Sequence, residues 1–296
     1  MASFRLPGVI GHRGAAAYAP ENTLEGIREA ANRGARWVEF DAKLTGDGVV
    51  ILMHDDTLDR TTSGHGPVAQ ATYREIGLLD AGVWFGAAWR GTRVPRLAEA
   101  LALLLELDMQ ANIEIKACAG REIETARAVA GVVQRCWPTN RPWPLLSSFS
   151  RASLSESRAQ APHVPRGLLI WEFAADWAAA AATLGCVSIH CADRHLTSPW
   201  ADEILKAGFR LAVYTVNDPV RASELKAWGV QCLITDRPDV IIVGDPRTGR
   251  SGGLGFLSEG RHGGEGHAAE YETDIRGHCS SLLADGQAGS LPYVNG

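Results

Sequence analysis

Three short segments, Gly11-His12-Arg13-Gly14, Glu39-Phe40-Asp41 and His54-Asp55, carry two histidines, an arginine and a pair of alternating carboxylates. A fourth, Asn112-Ile113-Glu114-Ile115-Lys116, adds a third carboxylate and a lysine. In an extended chain, residues two apart share a face, so Glu39 and Asp41 point the same way, as do Glu114 and Lys116. Three acidic side chains on converging strands suit a hard divalent cation, two imidazoles suit proton transfer, and Arg13 with Lys116 suits a phosphate. Their combined chemistry is metal-assisted cleavage of a phosphodiester. The charges agree: three carboxylates, one divalent cation, one phosphodiester and two basic side chains sum to zero. A structural ion pair explains one such acid–base pair. Repetition on two strands beside two histidines calls for a ligand, because inward charges are costly without compensation.

An imidazole with an ordinary pKa near 6.5 can take a proton from an attacking hydroxyl while a second protonates the leaving alkoxide, which makes His12 and His54 the candidate catalytic pair. Glu39, Asp41 and Glu114 are the candidate metal ligands. A carboxylate-rich, thiolate-free shell favours Mg2+ or Ca2+ over zinc without choosing between them. Phe149 and Tyr214, at the ends of later strands, are weaker candidates for lining a pocket. In Pro20-Glu21-Asn22-Thr23, Asn22 with Glu25 three residues on fits an N-cap and capping box that fix the His12-Arg13 loop.

The elements that must position these residues are legible as apolar runs bounded by turn residues. They occur at Val9 to His12, Trp37 to Asp41, Ala111 to Lys116, Leu145 to Phe149, Gly167 to Trp171, Val187 to Cys191, Arg210 to Val216 and Gln231 to Thr235. Helical patterns separate most of them, such as Leu24, Ile27 and Ala31, or Ala222, Leu225 and Trp228 with Gly229 as C-cap. Eight alternating strand–helix units predict an α/β fold, a closed (β/α)8 TIM barrel. A ninth run, Val49 to Met53, follows Leu44 too soon for a parallel crossover, so it should return antiparallel through the Asp-Gly turn. Centring that turn on Gly46 and Asp47 places His54 opposite Glu39. The Gly-rich, aromatic stretch from about 55 to 95 reads as an insertion after the second strand and hairpin. Two roles stay open for it: shaping a substrate pocket, or bracing the barrel rim as a satellite cluster.

From Asp245 to Gly296, 12 of 52 residues are glycine and no periodic pattern persists, so this tail is expected to be disordered or loosely attached. Its His262, His267 and His278 receive no role. The formal net charge of -5 argues against nucleic acid or an anionic membrane as partner. The six cysteines lack a Cys-x-x-Cys pair and read as reduced, buried thiols. With no apolar leader before the first strand and no membrane-length apolar stretch, a cytoplasmic enzyme without stable membrane association is expected. The oligomeric state is left open.

Taken in order, His12-Arg13-Gly14, Pro20-Glu21-Asn22-Thr23, Glu39-Phe40-Asp41, Asp47-Gly48 and His54-Asp55 resemble the N-terminal signature of the glycerophosphodiester phosphodiesterase family. Asn112 to Lys116, Ser147-Ser148-Phe149, Val187-Ser188-Ile189-His190, Tyr214-Thr215-Val216-Asn217 and Thr235-Asp236 continue the match, which spans residues 6–243. The chain is similar to the bacterial cytoplasmic members associated with glycerol-3-phosphate uptake. The resemblance implies a TIM barrel with an insertion, a catalytic pair at His12 and His54, and one divalent metal ion, Mg2+ or Ca2+, on Glu39, Asp41 and Glu114. Arg13 and Lys116 would hold the phosphate; Phe149, from its place at a strand end, is the weaker candidate for contact with substrate. The implied substrates are deacylated phospholipids such as glycerophosphocholine and glycerophosphoethanolamine, cleaved to sn-glycerol 3-phosphate and an alcohol. Attack by the substrate's own glycerol hydroxyl or by water stays open. Tyr214 stands where the family commonly has tryptophan, and the tail lies outside the pattern.

Overall fold

Strict alternation of side chains along each strand builds the molecule around a polar centre. In β2 (Trp37–Leu44), Val38, Phe40, Ala42 and Leu44 belong to one apolar cluster with helix residues such as Ile27, Leu101 and Val129. Glu39, Asp41 and Lys43 therefore face the opposite way, into the sheet's interior. In β4 (Gln110–Ile115), Ala111, Ile113 and Ile115 likewise face the helices and leave Asn112 and Glu114 inside.

These contacts come from a computed structural model that describes residues 4–243. The expected tail at 245–296, with its three histidines and Cys279, lies outside the described residues. The remaining strands are β1 (Val9–Gly11), β3 (Val50–Leu52), β5 (Leu145–Ser148), β6 (Arg166–Ile170), β7 (Ser188–Ala192), β8 (Arg210–Tyr214) and β9 (Cys232–Thr235). All but β3 pair in parallel in chain order, and β1 pairs with both β2 and β9, closing an eight-stranded barrel. The helices α1 (Leu24–Asn32), α2 (Tyr73–Ile76), α3 (Leu97–Glu106), α4 (Glu122–Cys136), α5 (Arg151–Gln160), α6 (Trp177–Thr183), α7 (Ser198–Lys206), α8 (Pro219–Ala227) and α9 (Pro238–Val243) intervene. The TIM barrel expected from eight apolar runs is thus the observed fold. Ile10, Ala212, Cys232 and Ile234 fill part of its interior with hydrophobic side chains.

The hairpin forms, with one correction. The observed register pairs Ala42 with Leu52, Lys43 with Ile51 and Leu44 with Val50, and the Met53 N–H donates to Asp41 O at 2.9 Å. Extended one step, this register sets His54 level with Phe40 rather than the expected Glu39. The cause is the turn: Thr45 N–H closes on Val49 O at 3.0 Å and Gly48 takes φ +84°, so the loop centres on Asp47. His54 escapes the consequence because it lies past the end of β3, where alternation no longer dictates its direction.

The insertion makes a small core of its own. Leu58, Val68, Ile76, Ala81 and Val94 pack on Ile51 and Met53. Trp84, Phe85 and Trp89 form an edge-to-face series within this unit. The satellite cluster is the arrangement adopted, and what the insertion sends toward the barrel mouth is Arg60. The five described cysteines are buried thiols. Among the described residues, no helix is long and apolar enough to cross a membrane.

Candidate active site

Strands β1, β2 and β4 are neighbours in the barrel, and inward side chains of β2 and β4 meet beside the residues that follow β1. Carboxylate oxygens of Glu39, Asp41 and Glu114 lie within 4.8 Å of one another, and all three residues are buried. The register explains the convergence, since Asp41 pairs with Glu114 across the β2–β4 ladder and Glu39 sits one inward step below. Among the described residues this is the one group of acidic, histidine or cysteine side chains that could hold a metal ion.

Burial and mutual repulsion set the charge state of the triad. Glu39 is pushed well above the usual carboxylate range, first by burial and then by Asp41 and Glu114. Glu114 is raised to about 7 by burial and by Asp41, against the pull of Lys116. Burial works against ionisation of Asp41 as well, yet Arg13, Lys116, His54 and a hydrogen bond from Asn22 outweigh it and hold Asp41 at about 2. Three carboxylates crowded this closely with part of their charge suppressed offer the oxygen donors that a hard cation takes. The residues fit such an ion.

Each imidazole is fixed by an aspartate. His12 Nδ1 lies 2.6 Å from Asp236 Oδ1, and His54 Nδ1 lies 2.7 Å from Asp55 Oδ1. A carboxylate on Nδ1 selects the tautomer with its proton there and leaves Nε2 as the proton acceptor. His12 Nε2 is 4.0 Å from Glu39 Oε2, which sets it beside the triad. Asp236 is oriented in turn by the Asn217 amide, which donates to Oδ2 at 2.6 Å. Burial lowers the affinity of His54 for a proton, and Arg13 and Lys116 lower it further against Asp41 and Asp55, so the net shift is downward.

Arg13 and Lys116 reach the same place. Arg13 donates from Nη1 to Glu21 at 2.7 Å, its Nε lies 3.4 Å from Asp41, and its backbone N–H donates to Glu39 at 3.1 Å. Lys116 Nζ lies 2.8 Å from Glu114 and 3.7 Å from Asp41. Phe149 is partly open, 5.4 Å from Lys116 Nζ and edge-on to Tyr214. His12, Arg13, His54, Glu114, Lys116 and Phe149 line one cavity of about 400 Å³, with Tyr214 on the far wall. Glu39 and Asp41 adjoin it through their partners. All nine side chains singled out from the sequence for the pocket, Tyr214 included, therefore converge.

Other residues of the site were missed or misread. Asn22 is not the cap of α1: Thr23 is, accepting from Gly26 N–H at 3.0 Å. Asn22 adopts φ +57°, ties the loop by donating to Arg13 O at 3.1 Å, and clasps Asp41, donating to its carboxylate at 2.9 Å and accepting its N–H at 3.0 Å. Glu21 bridges Arg13 to Arg60, whose guanidinium reaches Glu21 at 2.8 Å through both Nη1 and Nη2 and grips Asp55 at 2.6 and 3.0 Å. Asp236 and Asn217 follow β9 and β8; they stand in two of the segments that resemble the family, where no role was assigned to them.

Residues 12–240 match the model of the glycerophosphoryl diester phosphodiesterase family. The chain belongs to this family. Among its relatives, a glycerophosphodiester phosphodiesterase of Caldanaerobacter subterraneus subsp. tengcongensis is 33% identical over 79% of this chain and 96% of its own. A solved phosphodiesterase of Oleispira antarctica, in complex with the product sn-glycerol-3-phosphate, aligns at TM-score 0.78 with 34% identity over 81% of this chain and 96% of that one. The glycerophosphodiester phosphodiesterase of Agrobacterium tumefaciens strain C58 aligns at TM-score 0.65 with 31% identity, covering 80% and 99%. The family's enzymatic class, a glycerophosphodiester-cleaving hydrolase on a TIM barrel, is therefore that of this chain.

Proposed function

We propose that the protein hydrolyses deacylated phospholipids such as glycerophosphocholine and glycerophosphoethanolamine to sn-glycerol 3-phosphate and an alcohol, using one divalent ion and the His12–His54 pair. The observation that carries this reading is the buried acidic triad flanked by two aspartate-oriented imidazoles in a single pocket. Glu39, Asp41 and Glu114 would hold Mg2+ or Ca2+. Such an ion supplies Lewis-acid stabilisation of charge at phosphorus and lowers the pKa of a bound hydroxyl.

The remaining steps belong to the chain. Arg13 and Lys116 set the diester at the triad; Lys116 Nζ pairs with Glu114 and Asp41, and where those carboxylates held a metal ion it would be free to turn to the phosphate. One imidazole Nε2 removes the proton of the attacking hydroxyl and the other protonates the departing alkoxide, each steadied by its aspartate. Phe149 offers an apolar face to the substrate. Buried thiols support a cytoplasmic setting, and the net charge of -5 supports a small-molecule substrate over nucleic acid or membrane.

The test is turnover of glycerophosphocholine after EDTA treatment and after restoring Mg2+ or Ca2+, with glycerol 3-phosphate measured by a coupled assay. Metal-restored product supports the reading and chooses the cation. No product from folded protein with either metal overturns it.

A further inference from the structure

The cavity has a second wall, opposite the triad, with chemistry the cleavage itself does not use. Trp171, just after β6, and Arg194, in the single turn after β7, line it beside Phe149 and Tyr214. The Arg194 guanidinium lies 4.8 Å from the centre of the Trp171 ring, and the His195 ring tilts against that indole at 5.3 Å. Arg194 is exposed and makes no ion pair among the described residues. Its neighbour Asp193 also lines the cavity, but its charge is taken up by Arg221, whose Nε donates to it at 2.7 Å. Glu172, beside Trp171 in the chain, is not in the cavity wall. This end of the pocket therefore presents an uncompensated cation laid over an aromatic face.

A glycerophosphodiester has two arms on phosphorus. Glycerol, small and bearing two hydroxyls, suits the end crowded with imidazoles and carboxylates, which leaves the variable alcohol to the Trp171 wall. A bare indole would attract a quaternary ammonium, but Arg194 is stacked on this one and would repel it. Resting on the reading of the site given above, we propose that Arg194 on Trp171 selects diesters whose alcohol carries an anionic group over those whose alcohol is cationic. The planar guanidinium fork fits the oxygens of such a group.

Three substrates differing in the alcohol test this: glycerophosphoglycerol, the same diester with a terminal phosphate on its second glycerol, and glycerophosphocholine. For the full chain with its metal, kcat/KM is expected to be roughly five- to tenfold higher for the phosphate-bearing diester than for the choline diester, and the gap should shrink with added salt because Arg194 is exposed. Arg194→Glu should reverse that order, and Arg194→Ala, which bares the indole, should abolish the gap or tip it modestly toward the choline diester. Equal preference in the unmodified protein, or an Arg194→Glu loss shared by all three substrates, overturns the proposal, the second pointing to a role at the scissile phosphate. Calorimetric binding of the same three diesters gives a readout independent of turnover. If none is hydrolysed with either metal, the reading of the site fails, and the order of binding still decides on Arg194.

Discussion

At the scale of single residues, the two imidazoles make separable predictions. His12→Ala and His54→Ala should each lower kcat by about 10² to 10⁴ while the protein still folds, because each removes one proton-transfer group and little packing. Replacing the alcohol by p-nitrophenol separates the roles, since that leaving group departs without protonation. The variant lacking the acid should recover most of its turnover on the p-nitrophenyl diester, and the variant lacking the base should not. Near-normal activity of either variant on glycerophosphocholine removes that histidine from catalysis. Glu114 makes a different prediction. Held at about 7 when no metal is bound, it must release its proton to become a ligand, so metal affinity should fall as pH drops below about 7. Titration calorimetry at pH 6 and pH 8 reads this directly, and equal affinity at both values would argue that Glu114 does not bind the ion.

At the scale of elements, the insertion is tied to the chemistry by one side chain. Arg60 grips both the aspartate that orients His54 and the glutamate that holds Arg13, so a residue of the insertion positions one member each of the proposed proton-transfer and phosphate-binding sets. Arg60 is itself half exposed, which limits what its ion pairs add to stability. Arg60→Ala should therefore lower kcat by roughly tenfold or more with only a small change in melting temperature, and Arg60→Lys should not rescue it, because a point charge cannot make both forked contacts. Full activity in Arg60→Ala would show that His54 and Arg13 hold their places unaided. This linkage was not legible in the sequence: Arg60 and Glu21 are far apart in the chain, and no local pattern announces a contact made through tertiary structure. The strand count was legible because each barrel strand keeps one apolar face toward the helices, as Val38, Phe40 and Ala42 do. The acidic triad was legible because alternation fixes its direction. The one-residue hairpin shift and the role of Asn22 depend on positive-φ residues, Gly48 and Asn22 itself, whose effect on register and direction the residue types alone do not determine.

For the molecule as a whole, the proposed metal site would couple folding to metal and pH, and the sign follows from the direction of each shift. Glu39 and Glu114 have pKa values above the ordinary 4.5 in the folded chain, so their contribution is fully present below about 4.5 and is lost as pH rises, for Glu114 through about 7. Asp41, lowered to about 2, is ionised throughout the range from 5 to 8 and adds no slope there. Without metal, raising the pH from 5 to 8 thus forces negative charge into a buried cluster. With metal, the same ionisation completes the ligand set. Melting temperatures measured in EDTA and in excess Mg2+ or Ca2+ should differ little at pH 5 and increasingly toward pH 8, reaching several degrees. Taking the difference at each pH cancels groups remote from the triad, so the trend isolates these carboxylates. A metal-induced shift that is flat across this range, or absent at pH 8, would mean that the buried triad is compensated from within the protein and is not the site of the ion.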